Sequence, residues 1–73
     1  MKPGDVVMFV SEGTYKESFY GKIGEVVRSS VNKHGDEYVN VLWNTPVKYF
    51  NSYTKNSSFN VNKFILMVDG DAR

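Results

Sequence analysis

The sequence predicts a small all-β fold, a five-stranded closed or half-open barrel. Two observations carry this. Short valine-rich or alternating apolar runs recur at "GDVVMFV", "KIGEVVRSSV" and "YVNVLW", separated by polar stretches marked with Gly or Asn. No segment keeps a helical period for longer than one turn. Closing the sheet would remove its exposed edges, and a two-layer sheet with a free edge is the structural alternative.

The elements follow in chain order. Residues 4–10 form a continuous apolar run opened by Gly4 and Asp5, the pattern of a buried strand. Residues 11–21 are polar with scattered rings and read as a long loop. A second strand spans 22–31, with Ile23, Val27 and Val31 in one phase and Gly24 marking a bend or a close backbone approach. "NKHGDE" at 32–37 is a turn. Over 38–43, Val39, Val41 and Trp43 face one side and Tyr38, Asn40 and Leu42 the other. "NTP" at 44–46 breaks the chain. A fourth strand is expected over 47–53 and a loop over 54–58. A single helical turn, capped by Asn60 or Ser58, is expected before the final apolar run to Val68. The domain is thus expected over 1–68, with a flexible polar tail over 69–73.

The chain has 73 residues, near the lower limit for independent folding. It holds no cysteine, which excludes disulfides and thiolate metal sites and fits a reducing, cytoplasmic setting. The N-terminal stretch lacks the pattern of a secretion signal, and no apolar run reaches the ~20 residues of a membrane span. A soluble, cytoplasmic protein with no membrane insertion is expected. Nine Lys and Arg against eight Asp and Glu give a net charge of +1, less basic than many dedicated nucleic-acid binders. Five Tyr, five Phe and one Trp are more rings than so small a core hides completely.

The order "KPGDVV…GKIGEVV…VNVLW…NKFILM" resembles the SH3-like barrel over nearly the whole chain. "G-D-x-V" and "GKIGEVV" are similar to KOW domains, a resemblance that implies RNA binding or a place within nucleic-acid machines. "ESFYGKIGEVV", "EYVNVLW", "KYFNSY" and "NVNKF" resemble, in order, segments of PsaE, a peripheral subunit of photosystem I, which implies docking of a soluble electron carrier. The lysine- and asparagine-rich style suits a bacteriophage-encoded accessory protein.

Catalysis is not expected. His34 is the only histidine and lies in a turn, where an exposed residue is the simplest reading. With no cysteine, a nucleophilic triad has few members to draw on. Glu12, Glu17 and Glu25 would need a pocket to shift their acidity before serving as a carboxylate pair. "GKIGEV" lacks the "GK[ST]" ending and following helix of a phosphate loop, so Gly21 and Gly24 read as backbone geometry. "NSS" at 56–58 reads as a loop rather than a glycosylation site. No metal or cofactor site is expected.

The function expected is binding without catalysis. Tyr15, Phe19, Tyr20 and Lys22 flank the first long loop, and Lys48, Tyr49, Phe50 and Tyr53 lie near the fourth strand. Together they would form an aromatic groove for a protein partner. The competing use is nucleic-acid binding, with rings stacking bases while Lys22, Arg28, Lys33, Lys55 and Lys63 meet phosphates. Phe19, Tyr49 and Phe59 read equally well as core, and Trp43 reads as core. Nothing in the sequence fixes the oligomeric state.

Overall fold

A computed structural model describes residues 1–72. Its elements are β1 (Val6–Phe9), a one-turn helix α1 (Lys16–Phe19), β2 (Ile23–Val31), β3 (Glu37–Tyr49), β4 (Ser52–Asn60), a 3-10 turn (Val61–Lys63), β5 (Phe64–Val68) and a second 3-10 turn (Gly70–Ala72). The five strands form one antiparallel sheet in the order β4-β3-β2-β1-β5. Four strands meander, and β5 returns to lie beside β1. The expected all-β, five-stranded architecture is present, and the sheet is open, with β4 and β5 at its edges.

The core is built from one face of each strand together with α1. Val7, Phe9, Phe19, Val26, Val39, Val41, Trp43, Val47 and Phe64 are all buried. Val39, Val41 and Trp43 point inward as their alternation predicts. The Phe9 ring packs against Phe59, Phe64 and Phe19 at centroid distances of 4.9, 5.5 and 5.7 Å. Phe19 reaches Trp43 at 5.4 Å, so α1 closes the open end of the sheet with a single ring. Within 11–21, expected as loop throughout, α1 exists to deliver that ring.

Three expectations change. The core phase of β2 is Gly24 and Val26, whereas Val27 and Val31 are exposed. A register shift between Val26 and Arg28 carries the strand through a bulge, which a strict two-residue period cannot anticipate. "NTP" does not break the chain but lies inside β3. There β3 advances from Leu42 to Val47 while β4 moves only from Asn56 to Thr54, so the surplus residues bulge outward. The segments expected as a fourth strand over 47–53 and a loop over 54–58 are instead the end of β3, a turn at Phe50–Asn51 and most of β4. The polar composition of "SYTKNSSFN" marks an edge strand facing solvent rather than a loop.

The helical turn before the last strand is present as the 3-10 turn, and its cap is Asn60, whose Oδ1 accepts from the Asn62 N–H at 3.0 Å. Gly21 and Gly24 divide the work expected of them. Gly21 holds φ at +82°. A Cβ on Gly24 would stand 2.5 Å from the Leu42 carbonyl oxygen and from Val41 Cγ1, so β2 and β3 approach closely only because that atom is missing.

Residues 69–72 lie against the start of the chain. Asp5 is almost fully buried, and its Oδ1 accepts from the Gly70 N–H at 2.8 Å while Oδ2 accepts from the Lys2 N–H at 2.9 Å. Lys2 Nζ donates to Asp5 at 3.0 Å and to Asp69 at 2.7 Å. Arg73, the end of the segment expected as a tail, lies outside the described residues.

Candidate functional site

The β3–β4 turn sets the site. Two chain-reversing residues, Phe50 and Asn51, join the strands across the Tyr49↔Ser52 and Lys48↔Tyr53 pairs. Phe50 has φ at +56°, a left-handed conformation that Gly or Asn adopts readily and a bulky ring does not. Its side chain is 80% exposed. The sequence therefore places a bulky ring at the one non-glycine left-handed position among the described residues, and leaves it exposed to solvent.

Phe50 is the outer end of a continuous line of rings. Its centroid lies 4.5 Å from that of Tyr49. Tyr49 is half-buried and meets Phe19 at 5.5 Å and Tyr15 at 6.1 Å. Tyr15, on the segment leading into α1, also meets Phe59 at 5.1 Å. The first loop and the β3–β4 turn, distant in sequence, thus share one aromatic surface. Phe19 is buried beneath it and supports it, so its ring is not available at the surface. Phe59 is partly buried against the core and serves the same purpose.

The remaining expected residues lie around this cluster to different degrees. Tyr53 is 69% exposed and sits opposite Lys48 on the outer side of the hairpin. Tyr20 is exposed, with Lys16 Nζ 5.9 Å from its ring centroid. Lys22 belongs to a separate shallow groove of about 280 Å³ formed with Gly21, Ile23 and Asn44–Pro46, where the β3 bulge stands away from the sheet. The aromatic groove expected from sequence is therefore reduced to Tyr15, Tyr49 and Phe50, while Tyr53 and Lys48, paired with each other, lie on the opposite face of the hairpin.

The cations considered for nucleic acid are dispersed. Lys22 precedes β2 and Lys33 follows it, at opposite ends of that nine-residue strand. Arg28 lies mid-strand opposite Asn40, Lys55 on the β4 edge and Lys63 in the 3-10 turn. The outer face between them is polar: Asn40 Nδ2 donates to Ser58 Oγ at 2.9 Å, and Asn56 Nδ2 to Asn40 Oδ1 at 3.4 Å. His34 is exposed in its turn, where its N–H donates to Asn32 Oδ1. Among the described residues, no group of His, Asp and Glu is gathered to hold a metal ion, and no helix is long and apolar enough to cross a membrane.

Comparison with known proteins finds no matching family model, no matching characterised protein and no matching solved structure.

Sequence reasoning passed over the Lys2–Asp5–Asp69 cluster. The Gly70 and Lys2 N–H groups hold the Asp5 carboxyl down at about 2. The Lys2 ammonium, with the Asp71 N–H, lowers Asp69, and Asp69 and Asp5 in turn raise Lys2. Its signal was present in "KPGD" and "DGD", but only the topology brings the two ends together.

Proposed function

We propose that the protein is a non-enzymatic docking module that holds a protein partner against the ring surface of Tyr15, Tyr49 and Phe50. The observation that carries this reading is Phe50: an 80% exposed ring on a left-handed backbone, packed at a tilt against Tyr49. Local strain is retained where the surroundings gain something from it, and neither burial nor turn chemistry accounts for Phe here. Rigid aromatic groups lose little entropy on binding and dominate interface energetics. The strand order, with β5 returning beside β1 after a 3-10 turn, supports the SH3-like plan as the scaffold beneath this surface.

The test is capture from a lysate of the source cell, treated with nuclease, by immobilised wild type and by Phe50→Gly. Wild type is expected to retain a defined protein, and the folded variant to lose it. Equal capture by both would remove the reading. Retention that vanishes with nuclease and falls steeply with salt would instead favour the KOW-like, nucleic-acid-binding reading.

A further inference from the structure

The outer face of the sheet is divided. Over β3 and β4 it is mostly polar and satisfied within itself, through the bonds of Asn40 with Ser58 and of Asn56 with Asn40. Around β1 it is mostly apolar. Val7, Phe9, Gly24 and Val26 point to the core, so Val6, Met8 and Ile23 point the other way. Strand pairing sets these residues beside their neighbours. Ile65, Met8 and Ile23 form one row across β5, β1 and β2. Val68, Val6, Glu25 and Leu42 form the next row. Ile65, Val68 and Leu42 are 45, 41 and 44% exposed, and Val6, Met8 and Ile23 are half-buried. The solvent-facing side of an antiparallel sheet is ordinarily polar, and a contiguous apolar patch there marks an interaction surface.

The first row runs into the groove of Gly21, Lys22, Ile23 and Asn44–Pro46, because Ile23 belongs to both. Two bulges open that groove. Gly21 and Lys22 together oppose Phe9: the Gly21 N–H bonds the Phe9 carbonyl, and the Phe9 N–H bonds the Lys22 carbonyl. With Gly21 at φ +82°, this is a glycine bulge that turns the chain as it enters β2. The β3 bulge forms the facing wall, so the two strands part beyond the Gly24↔Trp43 pair. The gap of about 280 Å³ has room for a side chain, and Asn44 and Thr45 add an amide and a hydroxyl to its lining.

The charge at this border selects the occupant. Lys22 lines the groove and is exposed. Lys63 stands on the other side of β1, its carbonyl bonded by the Val10 N–H. Neither lysine is in an ion pair among the described residues. An apolar row that ends at unpaired ammonium groups is matched by a chain carrying apolar side chains and a carboxylate. Glu25, within the second row, argues for protein over an anionic membrane. Lipid headgroups would repel its carboxylate, whereas a peptide can meet it with a donor.

We propose that the outer face around Met8 docks an acidic, apolar segment of a protein partner, with a carboxylate of that segment seated in the groove at Lys22. The rings of Tyr15 and Tyr49 pack on Phe19, on the core side of the sheet, so this surface is independent of theirs.

A random peptide library displayed on phage, selected in parallel on the immobilised full chain and its variants, tests this. Selection on wild type should enrich peptides that combine Asp or Glu with large apolar residues. Lys22→Glu changes an exposed side chain, and selection on it should enrich Lys or Arg in place of the acids. Synthetic acidic peptides from the wild-type selection should bind Lys22→Glu about tenfold more weakly, the scale of one charge-assisted contact. Ile65→Gln, which removes apolar surface without adding charge, should weaken them about as much. Phe50→Gly should bind them as wild type does. Trp43 fluorescence and circular dichroism establish that each variant is folded. The proposal is overturned by a selection that enriches no acidic peptide, by peptides that bind Lys22→Glu or Ile65→Gln as tightly as wild type, or by peptides lost only with Phe50→Gly. Co-sedimentation of wild type with vesicles of phosphatidylcholine and phosphatidylglycerol, abolished by Ile65→Gln, would assign the face to a membrane instead.

Discussion

Gly24 is the residue on which the β2–β3 contact depends. In Gly24→Ala the new methyl would enter the space of the Leu42 carbonyl, a backbone atom that cannot step aside as a side chain can. Overpacking of this kind typically costs about 1–3 kcal/mol. We expect a lower urea midpoint with an unchanged slope. Trp43 poses the complementary case. Its indole N–H, on a ring 4% exposed, donates to Ser57 Oγ at 3.0 Å. Ser57→Ala strands that donor with few ways to reach water, a loss of about 1–3 kcal/mol. Trp43 is the sole tryptophan, so its emission should shift in the folded variant, reporting the lost bond directly. An unchanged spectrum with unchanged stability would show the bond contributes nothing. Phe50 reverses the usual direction. Phe50→Gly removes a left-handed backbone penalty of about 1–2 kcal/mol, offset by about 0.5–1 kcal/mol of added freedom in the unfolded chain and by loss of the Tyr49 contact. Stability by thermal melting should be unchanged or slightly raised while partner capture is lost. A clear drop in melting temperature would mean that the ring is structural.

The elements were legible in sequence to the extent that their burial alternates. Over Tyr38–Trp43 the two-residue period holds, and inward and outward residues follow from it directly. β2 defeats the same rule because its core phase is that of Gly24 and Val26, which puts Val27 outside, and because the bulge then resets the phase while Val31, opposite Glu37 at the far end of the strand, lies beyond the core. Bulges arise from pairing with a neighbour, so a single strand carries no sign of them. β4 was hidden for a different reason. It is an edge strand whose long polar run, Ser52–Ser58, is dictated by solvent rather than by the core, and polar edge strands and loops share a composition. The site divides in the same way. That Tyr15 and Phe50 would be rings near a surface could be read locally. Their joining through Tyr49 depends on the β3–β4 hairpin folding over α1, a contact made across the sequence. Lys22 fell outside the cluster because the β3 bulge at Asn44–Pro46 gives it a groove of its own.

The molecule as a whole is held at its ends by charge. The molecule measures 33 × 32 × 18 Å, and its first and last strands lie side by side at one end of the open sheet. Asp5, Lys2, Asp69 and the Gly70 N–H tie the start of β1 to the segment that follows β5. The acid side of the pH profile follows from the carboxylates. The Asp5 carboxyl titrates at about 2 in the folded protein against an ordinary 3.8, and Asp69 is lowered in the same sense. Both bind protons more weakly folded than unfolded, so their stabilisation is present above the ordinary 3.8 and drains away as the pH falls below it, for Asp5 toward about 2. Lys2 is raised above its ordinary 10.5, so its share is full below that value and is lost as the pH climbs through the raised one. The melting temperature should therefore form a plateau through neutral pH and fall below about pH 4. In Asp5→Asn the neutral amide keeps hydrogen-bonding capacity but loses the charge. That variant should melt lower than wild type on the plateau, and the gap should narrow as the pH approaches 2 because wild-type Asp5 is then also neutral. Added salt should weaken the exposed Lys2–Asp69 pair more than the buried contact of Asp5 with the Gly70 N–H, so most of the gap should survive at high ionic strength. Parallel pH curves for the two proteins down to pH 2 would show that the Asp5 charge does not hold the start of β1 to the segment after β5.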